Sequence, residues 1–165
     1  MRKILTEGSI MIAIFVAISW WQQKDLLATD GSVTIDPLQL PLIRGTYEQL
    51  AWSEAKPTLL YFFAPWCGVC HLSIDNLHDL KEQYKDDDLR IAIVALSYSH
   101  IDEVEAFLAR HEMEIPVLLG SEQTAQDFKI NGFPTYYILN KDGQIVSRDM
   151  GYSSELGLRA RLLKI

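Results

Sequence analysis

Cys67 and Cys70 are the only two cysteines in this 165-residue chain, and two residues separate them. A pair so close in sequence closes almost no loop, so a purely structural disulfide here would stabilise the fold little. The surroundings point to chemistry instead. An apolar run, Thr58-Leu-Leu-Tyr-Phe-Phe-Ala64, leads through Pro65 and Trp66 into the pair, and an amphipathic pattern follows. Cys67 therefore falls where a buried strand ends and a helix begins. The unpaired N–H groups and positive dipole of a helix N-terminus stabilise a thiolate, and the thiolate is the nucleophile of disulfide exchange. Cys70, one turn further on, is placed to attack a mixed disulfide and release the substrate. Trp66 is expected to shield the site and offer a partner an apolar surface, or to serve as a half-buried core aromatic; the two roles are compatible.

His71 raises a rival. Cys67-Gly-Val-Cys70-His71 also matches the C-x-x-C-H pattern of covalent c-type haem attachment, with the thiols as thioethers and the histidine as iron ligand. A haem pocket is not expected at the end of a buried apolar strand. Metal binding has at most two thiolates and His71 to draw on, so neither a metal nor a cofactor is expected. His71 and Asp75 lie at i and i+4 and are expected to pair on a helix surface. His78, His100 and His111 are dispersed and read as surface residues. A redox-inert binding module is a further class, open only if the cysteines do not cycle.

The elements that must position the pair follow from periodicity. Residues 68–84 read as one helix, with Cys70, Ile74, Leu77, Lys81 and Tyr84 near one stripe. Arg90-Ile-Ala-Ile-Val-Ala-Leu96 reads as a second central strand, rich in β-branched residues. A helix over 102–112 buries Val104, Phe107 and Leu108, with Asp102 as a candidate cap. Pro116–Leu119 is a short strand, and 122–129 a short helix burying Ala125 and Phe128. Thr135–Leu139 and Gln144–Ser147 flank Asn140-Lys-Asp-Gly143 as a hairpin. Ser154–Leu163 closes the chain as a helix, with Arg159, Arg161 and Lys164 near its C-terminal end. Residues 33–58 have no clear periodicity; Pro37, Pro41 and Gly45 suggest a short strand, turns and a helical turn at 46–52. Asp86-Asp-Asp88 reads as a solvated turn. Strands alternating with helices, then a hairpin, predict an α/β fold: a central mixed sheet with helices on both faces.

The N-terminus differs in kind. Arg2 and Lys3 precede Ile10-Met-Ile-Ala-Ile-Phe-Val-Ala-Ile-Ser-Trp-Trp21. Residues 1–24 are expected to be a single-pass transmembrane anchor with its basic end in the cytoplasm, although Ala17-x-Ser19 resembles a cleavage site. The apolar run falls short of the ~20 residues of a full span. Residues 25–32 then form a linker and 33–165 the folded domain, facing the periplasm if the source is bacterial. The net charge of −7, without a basic block beyond Arg2-Lys3, argues against a nucleic-acid surface.

Phe63-Ala-Pro-Trp-Cys-Gly-Val-Cys70 resembles the active-site segment of the thioredoxin-like superfamily, and Gly132-Phe-Pro-Thr135 resembles its cis-proline loop. The likeness covers roughly residues 31–165. It implies a thioredoxin-like fold and a protein thiol:disulfide oxidoreductase with Cys67 and Cys70 as catalytic pair and redox disulfide. It also implies a cis Pro134 facing the dithiol, with Trp66, the Phe133 backbone and Pro134 contacting an extended substrate. The helix and strand inserted between about 97 and 120 resemble the membrane-tethered branch, which includes cytochrome c maturation reductases and the thioredoxin-like member of suppressor-of-copper-sensitivity clusters. That branch implies protein thiols or disulfides as substrates, a membrane or periplasmic redox partner, and a bacterial inner-membrane location. Three departures stand out. Tyr61 occupies the position of the buried aspartate of cytoplasmic thioredoxins. Ser73 occupies the position of a glutamate in tethered reductases. Asp75 replaces a helix-kinking proline.

Overall fold

A computed structural model describes residues 2–36, 38–43, 47–50, 56–84, 88–163 and 165. Five strands form the central sheet: β3 (Thr58–Phe63), β4 (Arg90–Ala95), β5 (Val117–Leu119), β6 (Thr135–Leu139) and β7 (Ile145–Met150). Their order across the sheet is β5-β4-β3-β6-β7. β3, β4 and β5 run parallel, and β6 and β7 return antiparallel. The mixed sheet expected from the element order is therefore present. Gly143, at φ 77°, supplies the left-handed position of the turn between β6 and β7.

Alternation along the central strands splits the core in two. Leu59, Tyr61 and Phe63 face one side, with Ile93, Ala95, Tyr136 and Ile138. Against them pack the active-site helix, α4 (Ile101–Arg110) and α6 (Glu155–Leu162). Leu60 and Phe62 face the other side, with Val94, Tyr137 and Leu139, and Phe128 at the end of α5 (Glu122–Asp127) covers them. β3 is buried at every position, as expected of a strand covered on both faces.

Three sequence expectations are corrected. The active-site helix is not continuous: α2 (Gly68–Ser73) stops at Ile74 and α3 (Asp75–Gln83) begins beyond it. There is no proline at the break. The Cys70 carbonyl still accepts the Ile74 N–H at 3.0 Å, and the ladder tightens beyond it, where the Leu77 N–H bonds the Ile74 carbonyl three residues back at 2.9 Å; the Ser73 hydroxyl also reaches the Cys70 carbonyl, at 3.4 Å. Lys81 is exposed rather than part of the buried stripe. Residues 47–50 are a strand, β2, paired antiparallel with β1 (Leu38–Pro41), not part of a helical turn. Gly45, Pro37, Lys164 and most of the acidic turn at 86–88 lie outside the described residues.

The N-terminal segment is helical, α1 (Arg2–Gln23). Among the described residues, however, no helix is long and apolar enough to cross a membrane. The expected linker is docked. Leu26 and Leu27 are buried in the second core. The Leu27 N–H donates to the Tyr137 hydroxyl at 3.2 Å, and the Arg148 guanidinium donates to the carbonyls of Leu26 and Leu27.

Candidate active site

Cys67 is the N-cap of α2, with extended backbone. Its sulfur accepts the Cys70 N–H at 3.1 Å, and its carbonyl accepts the N–H groups of Cys70 and His71. The two cysteines form a disulfide with Cα atoms 5.2 Å apart. Cys67 is 6 % exposed and Cys70 fully buried. An N-cap sulfur that already accepts a backbone N–H becomes, once reduced, a thiolate with a donor in place. The asymmetric exposure leaves Cys67 as the sulfur that an outside disulfide can approach.

Trp66 is 67 % exposed, yet fixed. Its indole N–H donates to the Ser97 carbonyl at 2.8 Å, at a residue with φ 51° just after β4. Its ring meets that of Phe133 edge-on at 5.8 Å. This contact joins the cysteine segment to the loop at Gly132–Thr135. The Phe133–Pro134 bond is cis, and the Thr135 hydroxyl closes the loop by donating to the Gly132 carbonyl at 2.8 Å. A Cβ on Gly132 would stand 2.9 Å from the Met150 sulfur, so a larger residue there would displace Met150 on β7. Val69 and Leu72 add exposed apolar surface on α2.

Beneath α2, the two positions that departed from the family pattern meet each other. The Tyr61 hydroxyl and Ser73 Oγ are 3.0 Å apart, and both residues are fully buried. Burial pushes the Tyr61 hydroxyl far above its ordinary pKa, with Tyr136 adding to the shift and Ser73 opposing it. The neighbouring Tyr136 is pushed up to about 12, again chiefly by burial. Its hydroxyl is buried without a hydrogen-bond partner among the described residues. Asp149 lies opposite Tyr136 on β7 and pairs with Arg161 at 2.6 Å. Burial raises the Asp149 pKa and Arg161 opposes the rise.

On the other side of α2, His71 does not pair with Asp75. Its Nδ1 lies 2.7 Å from Nε2 of His111, and its Nε2 lies 3.1 Å from the Pro65 carbonyl. His111 takes the place beside Asp75, Nδ1 to Oδ1 at 3.4 Å. His111, expected as a dispersed surface residue, is thus part of the site's surroundings. A signal existed: Val104, Phe107 and His111 fall at i, i+3 and i+7, on the stripe of α4 that faces the core. The engaged His71 ring and the buried Cys70 sulfur also leave poor access for a haem bonded at both cysteines and ligated by His71. Among the described residues no group of three or more His, Cys, Asp or Glu side chains could hold a metal ion.

A family model described as Thioredoxin-like matches residues 54–145, which hold the dithiol, its helix and the cis-proline loop. The chain belongs to the thioredoxin-like family. Among its relatives, Thioredoxin-like protein YneN of Bacillus subtilis is 23% identical over 98% of both chains. Thiol-disulfide oxidoreductase ResA of Bacillus cereus is 23% identical over 74% of this chain and 71% of that protein. The thioredoxin domain of thiol-disulfide oxidoreductase BVU-2223 from Bacteroides vulgatus superposes with a TM-score of 0.72, at 18% identity, covering 84% of this chain and 99% of that one. StoA of Bacillus subtilis superposes at 0.67, with 21% identity, covering 77% and 96%. This thioredoxin-like protein is a thiol-disulfide oxidoreductase, and the segment matched by the family model contains Cys67 and Cys70.

Proposed function

We propose that this protein exchanges dithiol for disulfide with protein substrates, with Cys67 as nucleophile and Cys70 as resolving thiol. One observation carries the assignment: the sulfur at the helix cap already accepts a backbone N–H, while its partner is buried behind it. In the reducing direction the Cys67 thiolate attacks one sulfur of a substrate disulfide. The S–S bond breaks, the mixed disulfide forms, and the released substrate thiolate takes a proton. Cys70 loses its proton and attacks the Cys67 sulfur, which frees the second substrate thiolate and leaves the Cys67–Cys70 disulfide. Two electrons have passed to the substrate, and a redox partner must return them before the next turn. The oxidising direction is the same sequence reversed. Trp66, Phe133 and Pro134 form the edge along which an extended substrate lies, a role supported by the edge-on contact of Trp66, next to Cys67, with Phe133.

The chain is further proposed to work at the bacterial inner membrane, with its catalytic domain in the periplasm and α1 as attachment. The exposed apolar side chains of α1, among them Ile10, Met11, Ile12, Ile14, Val16 and Ile18, support attachment, as does the basic start at Arg2-Lys3. The resolving chemistry is tested by Cys70→Ala, which should accumulate mixed disulfides in cells, and by alkylation of the reduced chain, which should label Cys67 first. Preferential labelling of Cys70 would reverse the roles. Location is tested by fractionation and a C-terminal reporter active only outside the cytoplasm. A soluble product beginning at Trp20 would replace the anchor with a cleaved leader.

A further inference from the structure

The contacts of His71 follow a donor–acceptor logic that its neighbours dictate. A carbonyl only accepts, so the Pro65 contact places a proton on His71 Nε2. A neutral His71 then presents Nδ1 as an acceptor, so the 2.7 Å contact requires a proton on His111 Nε2. His111 Nδ1 faces the Asp75 carboxylate, which also only accepts. A proton on His111 Nδ1 therefore keeps every bond. A second proton has only His71 Nδ1 to occupy, and it breaks the bond between the rings.

His71 also grips the turn twice. Its ring holds the Pro65 carbonyl and its backbone N–H holds the Cys67 carbonyl at 3.2 Å, one on each side of Trp66. The Phe107 ring of α4 lies 4.5 Å from His71 and 4.8 Å from His111, which fixes both planes. The charged groups facing the pair are Asp75 at the head of α3, and Glu103 and Arg110 of α4. Glu103, Arg110, Pro65 and His71 share the rim of a shallow cleft of about 120 Å³.

We propose that His71 is a positioning residue for the nucleophile, a clamp on the Pro65–Cys67 turn whose tautomer is set by His111 of α4 and which opens when the pair takes up its second proton. The proposal rests on Cys67 being the nucleophile. It adds that the segment inserted between the two halves of the site steers the turn carrying that thiol. Burial, and then the charge of His111, hold the His71 pKa below the ordinary imidazole value, in keeping with a neutral ring at pH 7.

The test has two arms, both on the full chain. The first is ¹⁵N NMR of the imidazoles in the wild-type protein, which needs no variant to fold. His71 should carry its proton on Nε2 near neutral pH, and the pair should titrate in two separate steps. A proton on His71 Nδ1 with Nε2 bare would overturn the clamp. The second arm is the rate of Cys67 attack on a small peptide disulfide, divided by the thiolate fraction read from ultraviolet absorbance. At neutral pH, His71→Ala should lose about tenfold, and His71→Gln, whose amide reproduces one donor and one acceptor, should stay within about twofold of wild type. From about pH 8 to pH 5 the wild-type rate per thiolate should fall at the second protonation, and His71→Gln should lack that fall. Superimposable wild-type and His71→Gln profiles, or a rise on acidification, would overturn the proposal. Cys70 being labelled before Cys67 would instead sink the assignment of the nucleophile while leaving the tautomer result intact.

Discussion

On the side of α2 that faces the sheet, Ser73 meets the hydroxyl of Tyr61; on the side that faces α4, His71 meets the ring of His111. Both contacts join two polar side chains from different parts of the chain, twelve positions apart in the first and forty in the second. The first pair lies wholly inside, and Tyr61 and Tyr136 keep their protons throughout the physiological range. The second pair is half-buried and built from the one side chain that ordinarily changes charge near neutrality. The site carries hydroxyls under the helix and its proton-sensitive group on the flank of the helix. The layer beneath the dithiol is left to hold shape, and the flank to respond to pH.

The sharpest way to break this contrast is to disturb the charge that the interior does contain. Asp149 is paired with Arg161 and also accepts a bond from Gln23. Arg161→Ala leaves that carboxylate buried without its cation and should cost about 3 kcal/mol in urea unfolding. Adding Asp149→Asn should recover much of the loss, because the uncompensated charge is removed with it. An Arg161→Ala protein as stable as wild type would mean that the interior tolerates charge, and the contrast would collapse.

Restoring an acid under the helix asks the same question kinetically. Among the described residues buried hydroxyls, Tyr61 and Ser73, stand at both family positions, and burial opposes the ionisation of a thiol. Decay of the mixed disulfide should therefore be slow near pH 7 and quicken as pH rises. Ser73→Glu should speed that step at neutral pH by about tenfold in rapid-mixing experiments. Fast, pH-independent decay in the wild type would show that another group already serves as base.

Two smaller effects sharpen the comparison. Tyr61→Phe removes one buried hydrogen bond but leaves Ser73 its bond to the Cys70 carbonyl, and should cost about 1 kcal/mol. Its pH dependence should match that of the wild type, since the hydroxyl does not ionise in the range used. On the flank the sign is fixed by the depressed pKa of His71. A group that the fold prefers neutral contributes its full stability above about pH 6.5, the unfolded value, and loses it as pH falls toward the folded one. The urea midpoint should therefore drop modestly between about pH 7.5 and pH 5, and less in His71→Gln.

The dithiol, its strand and its helix start were legible because each is a local signal. A fully apolar run ended in Pro-Trp-Cys, and the sheet followed from β-branched stretches at regular intervals. Gly132-Phe-Pro-Thr135 was legible only through resemblance, since no local rule sets that loop against Trp66. What escaped detection was long-range or marginal. β1 and β2 are four residues each and lack a length over which alternation can be counted. The break at Ile74 is a local tightening without a proline to announce it. The partnership of His71 with His111 spans forty positions, and no pattern within α2 contains it. The apolar N-terminal run did form a helix, but among the described residues no helix is long and apolar enough to cross a membrane.

The docking of Leu26 and Leu27 sets a radius. Only Lys24 and Asp25 lie between the end of α1 and the first buried residue of the catalytic domain. Two extended residues reach about 7 Å. Whatever grips α1 therefore holds the dithiol on a very short leash, without the slack to swing out after a distant disulfide. With α1 attached as proposed above, clients would have to come within that small sphere, and selectivity would depend on who shares the location as well as on who fits the proposed edge.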